Sequence, residues 1–318
     1  MSLSPEDLRL IGGSDVAAIL GKDGNRSAVD VFQRCMTGEQ PPVSPELQRL
    51  FDRGHMLEPV IRAMSVRDYG LALLGPRKLR DPRRSYVRAS LDDVHMADHG
   101  EEVVEFKSVG EFAGFEYGAP GTDDVPLKHL CQVQFYLAQH GAPRARLYAL
   151  IGVDDLREYR IEADMDVQGI LLEAVDRFHR DHLETGVPPR PDGTDSYATW
   201  LTRRYPKREA KLILQADDAL AELAEQHREA RDAEKAWEKR KKTLAQQIAS
   251  QLGEAAGAEG FLPDGRKWRL TNRLQANPPV VDWEALAFEC GIPAGTKEKF
   301  TTRGTHIRLS NNVLKGGK

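Results

Sequence analysis

The sequence predicts an α/β protein: a mixed central sheet flanked by helices, then an extension built from one long helix and a small α+β module. Three observations carry this. Helical patterns fill most of residues 13–69, strand and helix patterns alternate from about 85 to 185, and residues 209–252 are almost free of chain breakers. Interleaved strands and helices point to a layered α/β core, and the long unbroken stretch to an amphipathic helix. The expected domains are 1–204 and 205–318.

Taken in order, GGSDVAAILG reads as a short helix with Ser14 as its cap and Gly21 past its end. SAVDVFQRCMTG is a second helix closing at Gly38. Residues 45–69 place Leu47, Leu50, Phe51, Leu57 and Ile61 on one helical face, and Pro59 marks either an interruption or the start of a second helix. SYVRASL and EVVEFKSV are strands, with DDVHMADHGE as the loop between them. VPLKHLCQVQFYLAQHG is a helix between Pro126 and Gly141, ARLYALIG and LREYRIEA are strands, and DVQGILLEAVDRFHRDHLETG is a helix. In 209–252, Ala216, Leu223, Ala230, Trp237 and Leu244 recur every seven residues. Unbroken, that helix would be roughly 65 Å long; packing on its own domain, a coiled coil and a hairpin all remain open. FLPDGRKWRL is a hairpin around Pro-Asp-Gly, VDWEALAFECG a small helix and THIRLS a strand.

Composition is that of a soluble globular chain, 30% charged and 40% hydrophobic. With no apolar run of spanning length and no secretory pattern at the start, a cytoplasmic protein without membrane partners is expected. Cys35, Cys131 and Cys290 are scattered, so neither a local zinc or iron–sulfur site nor a disulfide is expected. The net charge of −4 hides an asymmetry. Residues 1–200 hold 23 Lys and Arg against 33 Asp and Glu, and residues 201–318 hold 22 against 16. An acidic part suited to metal is joined to a basic part suited to phosphate.

The run VVEFKSV poses the functional question. In a strand, Glu105 and Lys107 share one face while Val104 and Phe106 point away. The plain reading is a surface strand with a polar outer side. The preceding strand, however, runs into ASLDD, where Asp92 can converge on Glu105 across a hairpin. Two carboxylates and a lysine suit a hard cation such as Mg²⁺, which takes oxygen donors and keeps water and substrate phosphate. Such an ion lowers the pKa of a bound water, and the lysine orients or helps deprotonate that water. That chemistry cuts phosphodiesters.

ASLDD…VVEFK resembles the core motif of the PD-(D/E)XK nucleases. IGGSDVAAILG, RGHMLEPVIRAM with its Gly-x-x-x-Glu spacing, and CQVQFYLAQHGAPRARLYALIG resemble one branch in the same order, the lambda-exonuclease / YqaJ-type phage recombinase nucleases. The resemblance covers about residues 5–185, and the chain has SLDD where the family usually has Pro-Asp-Gly. It implies that Asp92 (with Asp93 as the alternative) and Glu105 bind metal, with a backbone carbonyl of Val104 or Phe106 as a further ligand. It implies that Lys107 acts on the water and Glu58 supports the first or a second metal. Gln132, or less favourably Gln134, would hold water or substrate. Ser14 and Arg9 would take the DNA 5′ phosphate, although the family arginine usually lies further upstream. Beyond the motifs, Arg77, Lys78, Arg80, Arg83, Arg84 and Arg88 form either a DNA path or a solvated loop, as do the runs RRYPKR and KRKK. His55, His95 and His99 are read as surface residues.

The resemblance implies a 5′-to-3′ exonuclease on double-stranded DNA that uses Mg²⁺, with Mn²⁺ able to replace it and two ions at the site. It also implies a ring-shaped trimer and a single-strand annealing partner. An endonuclease of the same superfamily, or a non-catalytic DNA-binding scaffold built on the long helix, are the other readings.

Overall fold

The computed structural model describes residues 4–41, 45–205, 217–276, 280–282, 300–302 and 305–313, with backbone alone beyond residue 271. The chain divides into two compact units, Met1–Glu209 and Ala210–Lys318.

The first unit opens with α1 (Pro5–Leu8), α2 (Gly13–Ile19), α3 (Ala28–Thr37) and α4 (Pro45–Tyr69). Ser27 caps α3 by accepting from the Val29 amide, and Gly38 ends it in a left-handed conformation at φ 74°. α4 is one helix with Pro59 inside it, not two. Proline removes one backbone donor. Leu57 before it and Ile61 and Met64 after it pack together with Val104, Phe106 and Tyr148, and that shared contact keeps both halves in line. Leu50 and Phe51, read from the sequence as part of the same apolar face, are exposed.

The strands follow: β1 (Arg77–Arg80), β2 (Arg88–Leu91), β3 (Asp93–Ala97), β4 (Gly100–Val109), β5 (Arg144–Ile151) and β6 (Asp155–Glu162). β1 and β2 form an antiparallel pair. The central sheet has the order β3-β4-β5-β6, with β4 and β5 parallel and the other neighbours antiparallel. The parallel pair is joined through α5 (Leu127–His140), which ends at Gly141 with φ 80°. α6 (Met165–Phe178) passes into a π turn over His179–Leu183, and α7 (Asp195–Arg204) closes the unit.

Two expectations change here. The segment DDVHMADHGE is mostly β3 and the start of β4: Val94 and His95 are buried, and Met96 hydrogen-bonds to the backbone of Ala72. The arginine-rich segment is a loop only over residues 81–87, since Arg77–Arg80 form β1 and Arg88 opens β2. α7 and the 3₁₀ turn Glu111–Glu116 were not read from the sequence at all.

The sheet carries apolar layers on both faces. α4 covers Val104, Phe106, Tyr148 and Leu150. The larger layer joins Val103, Leu147, Ala149, Tyr159 and Ile161 to apolar residues of α2, α3, α5 and α6. Glu105 and Lys107 alternate onto this second, thicker face. The plain reading of β4 as a surface strand therefore fails: Glu105 is 1% exposed.

The second unit contains α8 (Asp218–Leu252), β7 (Gly257–Phe261), β8 (Lys267–Ala276), β9 (Val280–Asp282), β10 (Phe300–Thr302) and β11 (Thr305–Val313). α8 is a single helix of 35 residues with no buried residue, which excludes the hairpin. Its cap is Asp217, which accepts from the Leu220 amide. β7 and β8 pair around the Pro-Asp-Gly turn, where Gly265 has φ 82°, and β11 adds to β8 in the order β11-β8-β7. Residues 281 and 282 of the expected small helix lie in strand β9, and the rest of that segment lies outside the described residues. Among the described residues no helix is long and apolar enough to cross a membrane.

Candidate active site

β4 delivers Glu105 and Lys107 to one point because alternate residues share a face. Lys107 Nζ donates to Glu105 Oε1 at 2.5 Å and to Gln132 Oε1 at 3.1 Å. Gln132 Nε2 donates to the same Glu105 oxygen at 2.7 Å and also contacts the Tyr136 hydroxyl at 3.1 Å. Gln132 and Tyr136 are one helical turn apart on α5, so one face of that helix fixes the side chains of the strand.

Asp92 sits in the one-residue break between β2 and β3. Its carboxylate accepts from the Phe106 amide at 2.9 Å, which ties it to the strand carrying Glu105. Burial, and then the facing Glu105 carboxylate, push its pKa up to about 7. Burial and Asp92 likewise raise Glu58, which projects from α4 toward the same place. Lys107 goes the other way. Burial alone would lower its pKa, but Glu105 and Asp92 outweigh burial and hold it above the ordinary lysine value, as the cation.

The two alternatives left open by the sequence separate on geometry. Asp93 is fully buried and spent: Arg62 donates to it at 2.6 Å, and the Gly75 and Val94 amides at 2.7 and 2.8 Å. Gln134 points elsewhere as well, donating to the Glu162 carbonyl and accepting from the Asp164 amide and from Gln168. Asp92 and Gln132 are the residues that meet Glu105.

The donor set suits a hard cation. Glu105 Oε2 is buried and has no hydrogen-bond partner. An unpaired carboxylate oxygen facing a second carboxylate is costly unless a cation lies between them. All the side-chain donors are oxygen, as Mg²⁺ or Mn²⁺ requires. Among the described residues no three His, Cys, Asp or Glu side chains come together as a metal site, so an ion held by Asp92 and Glu105 would take water and phosphate oxygen for the rest of its shell. The sequence leaves the carbonyl of Val104 or Phe106 as a further ligand, and the Phe106 amide donates to Asp92.

The site opens on a cleft of about 980 Å³. Lys107, Gln132, Ser14, Arg26, Arg34, Arg88, Lys128 and His129 are among the lining residues. Ser14 lines it, but the N-cap of α2 is Gly12, whose amide donates to Asp15 at 2.7 Å. The capping role expected of Ser14 is thus taken over by Asp15. Arg9 is not brought to the cleft: it donates to the Met36 and Thr37 carbonyls at the end of α3. Arg26 is the arginine beside Ser14, donating to its carbonyl at 3.2 Å and to Asp15 at 2.7 Å.

The basic segment is also redistributed. Arg77 forms a two-bond pair with Glu101, Lys78 and Arg80 pair with Asp7, and Arg84 pairs with Asp176 and Asp81. Arg83 does not line the cleft, and of the six only Arg88 does. Of the histidines read as surface residues, His55 and His99 are exposed and His95 is not. His95 is buried with Nδ1 against the Ala72 backbone, His99 meets Glu102 at 2.9 Å, and His55 lines the cleft. Arg26, Arg34, His129 and Tyr136 escaped the sequence reading. The one available signal was Arg34 on the otherwise apolar face of FQRCM.

The mixed sheet with helices on its faces brings Asp92, between β2 and β3, to Glu105 and Lys107 on β4, as the resemblance of the sequence to the PD-(D/E)XK motif implies. Residues 7–143 match the family model of the YqaJ-like viral recombinase domain. Similar solved structures include an alkaline exonuclease from Laribacter hongkongensis, at 18% identity and TM-score 0.45, covering 63% of this chain and 94% of its own. A phage related exonuclease from Haemophilus somnus is similar at 14% identity and TM-score 0.42, covering 56% of this chain and 96% of its own. No curated protein matches the chain.

Proposed function

We propose that the protein is a divalent-metal-dependent deoxyribonuclease that resects double-stranded DNA from a 5′ end and leaves a 3′ single strand. The observation that carries this reading is the pair Asp92 and Glu105, facing each other with Glu105 Oε2 unpartnered beside a cationic lysine. Asp92 and Glu105 would hold the ion, with Glu58 supporting it or a second ion. When bound, Mg²⁺ (or Mn²⁺) supplies a water of lowered pKa and neutralises phosphate charge. Lys107 donates to the attacking water and to the phosphate oxygen on which charge builds. Gln132 keeps Lys107 and Glu105 in register, and Tyr136 braces Gln132 from behind. Attack at phosphorus breaks the bond to the 3′ oxygen and leaves a fresh 5′ phosphate on the next nucleotide. Ser14 with Arg26, in place of Arg9, would receive that phosphate; both line the cleft.

The family resemblance extends the reading to a ring-shaped trimer, a single-strand annealing partner and a cytoplasmic setting. The deciding experiment digests linear duplex with 5′-phosphate ends, linear duplex with 5′-hydroxyl ends and closed circular duplex, each with Mg²⁺. Faster loss of the phosphorylated linear form is expected. Rapid opening of the circle would establish an endonuclease, and no cleavage of any substrate a DNA-binding scaffold.

A further inference from the structure

The α5 face that carries Gln132 and Tyr136 also carries His129, one turn nearer the start of the helix. His129 lines the cleft with Lys107 and Lys128. Its Nδ1 lies 2.7 Å from the hydroxyl of Tyr117. Tyr117 is buried, and its ring packs 5.8 Å from the imidazole and 5.5 Å from Tyr159. The Tyr159 hydroxyl is itself occupied, donating to the Gly118 carbonyl at 3.0 Å. Among the described residues His129 Nε2 has no hydrogen-bond partner.

The tautomer follows from these contacts. Burial, and then the charges of Lys107 and Lys128, hold the imidazole well below its ordinary pKa, so the ring is neutral and carries one N–H. Burial raises the Tyr117 phenol, which keeps its proton. A protonated hydroxyl donates to Nδ1, and the ring proton is then on Nε2. The result is an uncharged donor held by its far side, in a cleft that already has cations.

We propose that His129 contacts the substrate: its Nε2–H donates to a non-bridging oxygen of the phosphodiester next to the scissile one, and Tyr117 is the positioning residue that sets the ring. This rests on the nuclease reading of the cleft. A neutral imidazole is no proton source near neutral pH, so the role is binding and alignment and not general-acid catalysis.

The test uses the full chain on 5′-phosphorylated linear duplex with Mg²⁺, together with duplex binding in the absence of added metal across a salt series. His129→Ala is expected to raise KM about tenfold while kcat moves less than about threefold. His129→Gln, which keeps a neutral N–H donor, recovers most of that loss. Tyr117→Phe, which frees the ring without removing it, gives a smaller rise in KM. The slope of log Kd against log salt stays at the wild-type value in His129→Ala, whereas Lys128→Ala lowers it by about one. An unchanged KM in His129→Ala overturns the proposal. So does a salt slope that falls with His129, or a collapse of kcat at constant KM. If His129→Ala fails to fold, the Gln and Phe variants decide by the same readings. If the wild-type chain cuts no DNA, the nuclease reading has failed, and the binding series alone decides whether His129 contacts the strand.

Discussion

Glu105 is where charge, burial and chemistry meet. Asp92→Asn and Glu105→Gln are each expected to lower cleavage at least about a thousandfold, roughly 4 kcal/mol of transition-state stabilisation. Asp92→Asn should not lower the Tm of the metal-free protein, because it removes repulsion between facing carboxylates, whereas Glu105→Gln should, because Lys107 loses its buried counter-charge; near-normal Mg²⁺-dependent turnover by either would dismiss the site. Asp15 makes the opposite case. Burial alone would raise its pKa, but Arg34 at 2.6 Å and Arg26 at 2.7 Å outweigh burial and hold it below the ordinary carboxylate value. Its contribution to stability is therefore present above the unfolded carboxylate pKa near 4 and is lost as pH falls through the lower folded value. Asp15→Asn leaves Arg34 buried without its counter-charge and should cost about 3 kcal/mol or more, with a shallower loss of stability in acid. Equal Tm values for variant and wild type at pH 7 would contradict this. The sequence could place Glu105 and Lys107 on one face, because a strand alternates. It could not separate Asp92 from Asp93, since the partners that consume Asp93, Arg62 and the Gly75 amide, come from other elements. For the same reason the arginines of 77–88 looked alike, although Asp7, Glu101 and Asp176 engage most of them.

At the scale of elements, the long periodic segments were legible. α3, α5, β4, β5 and β6 each have a cap, a glycine stop or a clean apolar run. The segments that were missed or misread depend on neighbours. β3 reads as loop until Leu73 bridges to His95, and α4 reads as two helices until the packing on β4 spans Pro59. The packing of α2 on α5 yields a further prediction. A Cβ built on Gly13 would lie 2.4 Å from Tyr136 Cε1, and Tyr136 holds Gln132 against Glu105 and Lys107. Gly13→Ala must push the ring or the helix aside, at a cost of about 1–3 kcal/mol, and the loss should reach the site through Gln132. The expected outcome is a lower Tm with a fall in kcat greater than in KM. A variant with wild-type kcat would show that α2 and α5 pack independently of the chemistry.

For the whole molecule the question is which unit supplies affinity for DNA. The first unit carries 27 Lys and Arg against 34 Asp and Glu over residues 1–209, and the second 18 against 15 over residues 210–318. On the nuclease reading, the acidic first unit repels a polyanion at long range, so its own hold on DNA would come from the cations lining the cleft, Arg26, Arg34, Arg88, Lys107, Lys128 and Arg203. Several of these are committed already, since Asp15 takes Arg26 and Arg34 and Glu105 takes Lys107. The second unit is net basic, and α8 exposes its apolar residues Leu220, Leu223, Trp237 and Leu244 together with Lys239, Lys241 and Lys242. Its expected role is to hold DNA or a neighbouring subunit, with no part in bond cleavage. A chain ending at Glu209 should keep Mg²⁺-dependent cleavage at high DNA concentration, because Asp92, Glu105, Lys107 and Gln132 all lie within it. It should bind duplex more weakly, with a shallower dependence of log Kd on log salt, as fewer phosphates are neutralised. Sedimentation of the same truncation separates the two roles. A smaller assembly with an unchanged salt slope assigns the second unit to subunit contact, and an unchanged assembly with a reduced slope assigns it to DNA. If assembly and slope both match the full chain, the second unit serves neither purpose, and the cations of the cleft suffice to hold the duplex.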